Sequence, residues 1–272
     1  MADRRPIGIF DSGIGGLTVL REIIAQVPNE STIYFGDDGR APYGTKSHET
    51  IINYSLQDMR FLKSRDVKMI VIACNTASTH AYEALKEACD VPVVEVVVPG
   101  AKAAVKATKN GRIGIIATRA TISSGAYEQA VRREGKNIPN LEVISQACPL
   151  FVSLAEEGWW DNEVAYLTAK EYLKPLVEAK VDTVVLACTH YPLLAPVISK
   201  VMGPDVKLIN SGVAVAGVVR DILKQNDIES DGREPTRLFY TSDDPKLFEK
   251  VAAPFLGSGL PQGTQKVQVD HL

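Results

Sequence analysis

Pro6-Ile-Gly-Ile-Phe-Asp-Ser12 and Ile70-Val-Ile-Ala-Cys-Asn-Thr76 each occur a second time in similar form, as Arg112-Ile-Gly-Ile-Ile-Ala-Thr118 and Val184-Val-Leu-Ala-Cys-Thr-His190. The two matches run in the same order along the chain, at offsets of 106 and 114 residues. Apolar strand sequences resemble one another by chance, but two matches in order at similar offsets favour an internal duplication. The repeats therefore predict two related α/β halves that face each other.

Short β-branched runs alternate with longer segments of helical period, which is typical of βαβ units and a parallel sheet. The predicted strands are Pro6–Phe10, Thr32–Phe35, Lys68–Ala73, Val91–Val94, Gly111–Ala117, Leu141–Gln146, Thr183–Ala187, Lys207–Ile209 and Arg237–Tyr240. Apolar stripes predict two helices, with Leu17, Leu20, Ile24 and Val27 in the first and Ile52, Leu56, Met59 and Leu62 in the second. From Gly257 onward the periodicity is lost, which predicts a mobile end or a late edge element.

Length and composition indicate a globular chain of two domains. The 272 residues are 45% hydrophobic and 23% charged, and Lys+Arg 30 against Asp+Glu 33 gives a formal net charge of −3. That balance provides no positive field for nucleic acid or anionic lipid, and no apolar run reaches the ~20 residues that a membrane span needs. We expect a cytoplasmic protein without nucleic-acid or membrane partners, whose four cysteines are free thiols.

Cys74 and Cys188 each follow a predicted strand and precede small hydroxyl or amide residues. In open α/β sheets, ligands bind beyond the carboxyl ends of the strands, and a helix N-terminus at that position favours a thiolate. A single unpaired cysteine is more often a small hydrophobe in the core. Two cysteines in matching contexts, one in each half, instead favour a functional pair. Cys89 and Cys148 lack that context and are interpreted as packing residues.

Two thiols on opposite walls of one cleft suit the inversion of a carbon stereocentre. A thiolate removes the proton from one face, a thiol returns a proton to the other face, and the roles exchange in the reverse reaction. The ordinary cysteine pKa of ~8.5 lets both forms coexist near neutral pH once local dipoles act. Racemisation is therefore the favoured hypothesis. Zinc binding is a competing one, but the cysteines and the scattered histidines lack compact ligand spacing, so we predict no metal.

Polar residues at the end of the first predicted strand and just after Cys188 are candidates to support the two thiols. Asp11 ends the first predicted strand and is followed by Ser12 and by Gly13-Ile-Gly-Gly16. Asp11 is a candidate to orient or deprotonate a thiol. Ser12 and the loop N–H groups are candidates to hold a carboxylate of a ligand at a helix N-terminus. An N-cap followed by a turn is the structural alternative for Ser12. His190, two residues after Cys188, is a candidate hydrogen-bonding partner or proton source, although a lone histidine is more often structural.

Five short motifs follow one another along the chain: Asp11-Ser-Gly-Ile-Gly-Gly16, Gly36-Asp37, Pro42-Tyr-Gly44, Ala73-Cys-Asn-Thr-Ala-Ser78 and Ala187-Cys-Thr-His-Tyr-Pro192. Together they resemble the bacterial glutamate racemases of the aspartate/glutamate racemase family, over essentially the whole chain to about Phe255. The resemblance implies a cofactor-independent enzyme that interconverts L- and D-glutamate and supplies D-glutamate for peptidoglycan. It also implies a homodimer in which each chain has two domains. The first would comprise residues 1–98 together with 208–272, and the second residues 99–207. The two domains would be related by pseudo-two-fold symmetry, with the active site in the cleft between them.

The resemblance also assigns roles to residues. Cys74 and Cys188 would exchange the proton, supported by Asp11, His190 and Glu156, although the adjacent Glu157 leaves the last assignment open. The substrate would be held by Asp11, Ser12, Pro42, Tyr43, Gly44, Asn75, Thr76, Thr118, Thr121, Thr189 and His190. Family members commonly have Asp-Thr-Ala-Arg where this chain has Asp37-Asp38-Gly39-Arg40, which adds a charge and a flexible residue.

Two other functions stay open at this point. The motifs are rich in Ser, Thr and Asn and poor in Lys and Arg, which favours a small acidic amino acid without choosing between glutamate and aspartate. A racemase of aspartate or of another acidic amino acid would use the same scaffold. A non-catalytic, two-lobed solute-binding module would also use two halves, but it would leave the Cα hydrogen of its ligand untouched.

Overall fold

The computed structural model describes residues 2–257 and 263–269. Within them the chain forms two compact units. One comprises the residues up to Val96 together with those from Gly212 onward, and the other comprises Val97–Ser211. Residues 258–262 and 270–272, which belong to the tail predicted to be mobile or an edge element, lie outside the described residues.

Ten strands occur in the described residues, and each sequence-predicted strand is among them with its ends shifted by at most two residues. They are β1 Ile7–Asp11, β2 Thr32–Gly36, β3 Met69–Ile72, β4 Val93–Val94, β5 Arg112–Ala117, β6 Glu142–Ala147, β7 Thr183–Ala187, β8 Lys207–Asn210, β9 Arg237–Thr241 and β10 Gln265–Lys266. The tenth strand, β10, lies at the edge of the sheet and pairs with β9, which agrees with the edge-element alternative predicted for the tail.

The helices alternate with the strands, as the βαβ pattern predicts. They are α1 Leu17–Gln26, α2 His48–Lys63, α3 Asn75–Ala88, α4 Val97–Ala107, α5 Arg119–Ser123, α6 Ala126–Glu134, α7 Leu150–Glu156, α8 Glu163–Glu178, α9 Ala195–Met202, α10 Ser211–Gln225 and α11 Pro245–Leu256, with 3-10 turns at Asp38–Arg40, Tyr43–Thr45 and Tyr191–Leu194. None of the helices in the described part of the chain combines the length and the apolar character that crossing a membrane requires.

The two units contain parallel sheets with a shared topology. The first unit has the strand order β10-β9-β2-β1-β3-β4 and the second has β6-β5-β7-β8, so the order β2-β1-β3-β4 is repeated. Ile7 pairs with Met69 across β1 and β3, and Ile113 pairs with Thr183 across β5 and β7. Ile113 lies 106 residues after Ile7, and Thr183 lies 114 residues after Met69, which are the two offsets between the repeated sequences. The repeated strands are therefore paired in the same register in both sheets. This confirms the predicted α/β fold with two similar parallel-sheet halves.

The central strands are buried along their whole length, which decides where functional side chains can lie. All residues of β1, β3 and β7 are buried, as expected of strands in the middle of a parallel sheet. Polar groups are consequently excluded from the strand interiors and accumulate where the strands end. Asp11, the last residue of β1, is such a group, and its side chain has no exposed surface.

The structure differs from the sequence prediction at the second domain boundary. The predicted boundary between residues 207 and 208 falls inside β8. Leu208, Ile209 and Asn210 pair with Val184–Leu186 of β7, so the whole of β8 belongs to the second sheet. The chain therefore leaves the second unit after Ser211.

Candidate active site

The first cluster of predicted residues surrounds Cys74, just beyond the carboxyl end of β3. Cys74 is the N-cap of α3, and its sulfur accepts a hydrogen bond from the Ala77 N–H at 3.4 Å. The sequence led us to expect a hydroxyl or amide residue to cap this helix, whereas the thiol does so itself. The Cys74 S–H donates to Ser12 Oγ at 3.5 Å, which joins the cysteine to the loop after β1.

Asp11 is held within that loop by backbone groups. Its Oδ2 accepts a hydrogen bond from the Gly13 N–H at 3.1 Å, and the Gly13 carbonyl accepts one from the Tyr34 hydroxyl at 2.7 Å. A Cβ at Gly16 would lie 2.4 Å from the Cβ of Asp11, so only glycine fits at that position. The glycine-rich loop thus packs against the carboxylate, as its position directly after β1 predicts.

The surroundings of Cys74 keep its thiol protonated. Burial, together with the negative charge of Asp11, raises the pKa of Cys74 to about 12, against smaller opposing effects of hydrogen bonds from Ser12 and Ala77. At neutral pH this sulfur is therefore a proton donor. To act as a base it has to pass its proton on, and the Asp11 carboxylate is the neighbouring group suited to receive it.

The side chain of Tyr43 faces a buried polar network rather than open space. Its hydroxyl contacts the carboxylates of Asp37 and, at 2.9 Å, of Asp58. Arg40 donates to both carboxylates at 2.7 Å. Burial raises the pKa of Asp37, and burial with the charge of Asp37 raises that of Asp58 well above its ordinary range. The network fixes the turn Tyr43–Thr45 and leaves the backbone there, rather than the phenol, as the group available to a ligand.

The second cluster surrounds Cys188, which follows β7 directly. His190 Nδ1 lies 3.9 Å from the Cys188 sulfur and 3.5 Å from Thr189 Oγ1. His190 Nε2 lies 3.0 Å from Oε1 of Glu156. The structure therefore pairs the histidine with Glu156, whereas Glu157 is the C-cap of α7.

His190 is positively charged at neutral pH. Burial alone would lower its pKa, but the hydrogen bonds to Cys188 and Glu156, with their negative charges, raise it to about 10. An imidazolium donates through both nitrogens, and here one faces the sulfur and the other the carboxylate. A 3-10 turn rather than an α-helix follows Cys188. The support for its thiolate therefore comes from the imidazolium rather than from the helix N-terminus that the sequence led us to expect.

The remaining predicted residues fall into the same two clusters. Asn75 and Thr76 form the first turn of α3 in the first unit and are nearly fully buried. Gly44 is half-buried and Pro42 is exposed. In the second unit the Thr118 side chain caps α5 by accepting a hydrogen bond from the Thr121 N–H at 3.3 Å. This cap satisfies Thr118 structurally and places both threonine hydroxyls at the carboxyl end of β5.

Sequence reasoning missed Arg40 and Asp58. Asp58 lies within the apolar stripe predicted for α2, next to Met59, and its side chain is fully buried. An acidic residue on the buried face of a helix is a signal that a buried partner must exist. The sequence alone does not identify that partner, because Arg40 lies 18 residues earlier in a separate turn.

The other two cysteines are packing residues, as predicted. Cys148 is fully buried and Cys89 is half-buried against the apolar core of the first unit. All four cysteines are free thiols. In the described residues no group of three or more His, Cys, Asp or Glu side chains is arranged to hold a metal ion.

The chain is similar to known proteins over nearly its whole length. Residues 7–219 match the family model of the Asp/Glu/Hydantoin racemases. A glutamate racemase from Geobacter metallireducens is 52% identical over 94% of both chains, and one from Streptococcus gordonii is 46% identical over 99% of both. The crystal structure of the Francisella tularensis glutamate racemase in complex with D-glutamate superposes with a TM-score of 0.92, at 39% identity, over 99% of this chain and 100% of that one.

Proposed function

This chain belongs to the Asp/Glu/Hydantoin racemase family, and from that premise we propose that it is a glutamate racemase, an isomerase that interconverts L- and D-glutamate. The observation that carries the proposal is the equivalence of Cys74 and Cys188. They follow strands that occupy the same position and register in two sheets of shared topology. Each has its own acid–base partner, Asp11 for the first and His190 for the second.

We propose a two-base mechanism in which each thiol serves one face of the substrate Cα. In one direction the Cys188 thiolate takes the proton, and the electron pair of the broken C–H bond stays on Cα. Cys74 then donates its proton to the opposite face, which forms the new C–H bond and leaves a thiolate on Cys74. In the reverse direction the roles exchange. The reaction needs no oxidant or reductant, and the two thiols and their partners supply every proton that moves.

The charges of His190 and Asp11 favour Cys188 as the group that removes the substrate proton. A protonated His190 stabilises a thiolate on Cys188, while Asp11 and burial keep Cys74 as a thiol. Cys74 is therefore placed to act as the acid, and Cys188 is the sulfur whose thiolate has a cationic neighbour. For the opposite direction, His190 returns a proton to Cys188 and Asp11 removes the proton from Cys74.

We propose that neutral polar groups hold the amino and carboxyl groups of glutamate. They are Ser12, Asn75 and Thr76 with the backbone at Pro42, Tyr43 and Gly44 in the first unit, and Thr118, Thr121 and Thr189 in the second. Hydroxyls, amides and backbone N–H groups bind carboxylates without a large positive field, which agrees with the net charge of −3. We further propose that the protein is a cytoplasmic homodimer, whose oligomeric state sedimentation equilibrium would measure. We also propose that it supplies D-glutamate for peptidoglycan, so added D-glutamate should rescue cells depleted of the protein.

The direct test is turnover of each pure enantiomer in heavy water. We expect loss of optical activity from L- and D-glutamate, with solvent deuterium incorporated at Cα of the product. Turnover of aspartate but not glutamate would reject the substrate assignment. Binding without any exchange of the Cα hydrogen would instead identify a solute-binding module.

Single cysteine substitutions test the two-base mechanism. Cys74→Ala and Cys188→Ala should each lower kcat ~10²- to 10⁴-fold or more, because proton transfer on one face alone cannot invert the Cα stereocentre. Cys89→Ser is the matched control and should keep turnover near the wild-type value, since this thiol packs against the apolar core. Near-native turnover in either alanine variant would contradict the mechanism.

A further inference from the structure

The loop after β2 is tied to the end of β9 at the two positions where this chain departs from the Asp-Thr-Ala-Arg pattern. Asp38 Oδ2 accepts a hydrogen bond from Thr241 Oγ1 at 2.8 Å. The Gly39 N–H donates to Ser242 Oγ at 2.9 Å. A Cβ at Gly39 would lie 3.2 Å from the Ser242 carbonyl oxygen, so the two segments lie in close contact.

The carboxyl group of Asp38 also packs against the loop that holds Asp11. A Cβ at Gly13 would lie 3.1 Å from Asp38 Oδ1, and a Cβ at Gly36 would lie 2.9 Å from Asp38 Oδ2. Asp38 therefore occupies the space beside both glycines. Because the Gly13 N–H donates to Asp11 Oδ2 at 3.1 Å, a continuous series of contacts leads from Thr241 through Asp38 and Gly13 to Asp11.

We propose that Asp38 is a positioning residue for the Cys74 half of the active site. Held by Thr241, it fixes Gly13 and, through the Gly13 amide, the carboxylate of Asp11. Its own negative charge adds to that of Asp11 in opposing a thiolate on Cys74. The proposal rests on the proposed function only in that Cys74 exchanges the substrate proton.

The groups around Asp38 come from several neighbouring elements. They are Asp11 at the end of β1, Tyr34 on β2, Asp37 in the same loop, Thr241 and the exposed Asp243 at the end of β9, and the apolar Phe248 of α11. Burial, opposed by the Thr241 hydrogen bond and reinforced by the charges of Asp11 and Asp37, raises the pKa of Asp38 to about 7. Asp38 therefore acquires its negative charge around neutral pH.

The rate of Cys74 alkylation measures the influence of Asp38 on this thiol and does not depend on enzymatic turnover. Trypsin cleaves after Lys68 and Lys86, so Cys74 is the single cysteine of its peptide and mass spectrometry follows its reaction with iodoacetamide separately from the other cysteines. Asp38→Asn keeps the shape of the side chain and removes its charge. We expect Cys74 in this variant to react roughly two- to tenfold faster than in the wild type at pH 8, with its pH midpoint moved downward.

Substitutions at Thr241 provide the matched comparison. Thr241→Val removes the hydrogen bond that lowers the pKa of Asp38, so Asp38 stays neutral to higher pH and Cys74 should again react faster below pH ~8. Thr241→Ser keeps the hydroxyl and should restore the wild-type rate. In the Asp38→Asn background, Thr241→Val should change the rate by less than about twofold, because the two residues act together.

Steady-state kinetics separate positioning of Cys74 from general loosening. Because the equilibrium constant of a racemisation is one, kcat/KM must remain equal for L- and D-glutamate in every variant. Cys74 is the base in one direction and the acid in the other, so Asp38→Asn should change the two kcat values unequally. A general structural defect would lower both by the same factor.

Equal Cys74 alkylation in the wild type, Asp38→Asn and Thr241→Val between pH 6 and 10 would overturn the proposal. A rate increase that appears to the same extent at Cys89 would also overturn it, since it would report loosening of the whole unit. If the alkylation shift is specific to Cys74 but the wild type does not racemise glutamate, the role of Asp38 stands and the proposed function fails.

Discussion

The two reactive cysteines differ because their neighbours carry opposite charges. Asp11 places a carboxylate beside Cys74, and His190 places an imidazolium beside Cys188. Both sulfurs are nearly fully buried, at 5% and 6% exposure, so water screens these charges little. The result is a raised pKa at Cys74 in one unit and an imidazolium that faces the Cys188 sulfur in the other. A reaction whose substrate and product are mirror images thus starts from an unsymmetrical pair of groups.

We expect His190→Gln to lower the free energy of unfolding in a pH-dependent manner. The folded-state pKa of His190 is raised from 6.5 to about 10, so its stabilising contribution is complete below pH 6.5 and is lost as the pH rises towards 10. The deficit of the variant should therefore be about 2 kcal/mol at pH 6 and should disappear by pH 10. Urea denaturation at pH 6, 8 and 10 measures this difference.

His48→Gln is the control for this prediction, because His48 is exposed. It should show no comparable deficit at any of the three pH values. A deficit of His190→Gln that stays constant from pH 6 to 10 would mean that the side chain contributes by packing. In that case the imidazolium would not be the support of the Cys188 thiolate.

Sequence reasoning locates residues whose placement follows from position in the chain. Cys74, Cys188 and Asp11 stand at strand ends, where burial patterns stop and ligands bind. It fails for residues whose role follows from a distant partner. The contacts of Tyr43 with Asp37 and Asp58 depend on packing between a turn and a helix, which no local pattern specifies. The Tyr43 phenol accordingly lies between two carboxylates.

At the scale of elements, one network joins the turn Asp38–Arg40, the turn Tyr43–Thr45 and helix α2. Arg40 is the cation of this network, and it faces the carboxylates of Asp37 and Asp58, both without exposed side-chain surface. Its guanidinium also lies over the ring of Tyr54 at 4.2 Å. Burial raises the pKa of both carboxyl groups, so the folded chain binds protons there more readily than the unfolded chain does.

We expect Arg40→Met to destabilise the protein by about 3 kcal/mol at pH 8, because it leaves two buried carboxylates without their cation. The loss should be smaller at pH 5. Since the folded-state pKa values of Asp37 and Asp58 are raised, stability falls as the pH rises through them, and protonation at lower pH relieves the repulsion. Chemical denaturation at the two pH values tests both the size and the direction of the effect.

Arg220→Met is the matched control on the surface. Arg220 pairs with Asp221 at 3.0 Å, with both side chains largely exposed, and exposed pairs contribute about 0–1 kcal/mol. If Arg40→Met costs no more than this control at pH 8, the network does not stabilise the first unit.

Element prediction works best where a sheet is buried on both sides. All nine sequence-predicted strands are present. The central strands β1, β3 and β7 are the continuous apolar runs expected of buried parallel strands. The helix stripes are less accurate. In α1 the predicted Leu17 and Leu20 are fully buried, as is Ile23, which the predicted stripe leaves out. The predicted Ile24 is only half-buried, and Val27 is the C-cap. A strand end such as β8 is not marked by composition, and this placed the second domain boundary too early.

At the scale of the whole molecule, the second unit is one continuous segment and the first is not. Val97–Ser211 contains all four strands of its sheet and its own apolar core. It also contains Cys188, His190 and Glu156. The first unit, in contrast, receives β9 and β10 from chain that follows the second. Because its sheet and core are complete within one segment, the second unit is predicted to fold on its own.

We expect the isolated segment 97–211, about 115 residues long, to fold and to unfold cooperatively in urea. Its sheet, core and cysteine–histidine–glutamate cluster are complete, so alkylation of Cys188 should still slow when His190 is replaced by Gln. The segment 99–207 is the matched comparison. It lacks Leu208–Asn210, which pair with Val184–Leu186, and should lose cooperative unfolding because β7 becomes an unpaired edge. Equal stability of the two segments would show that β8 is dispensable and that the sequence-predicted boundary describes the folding unit better.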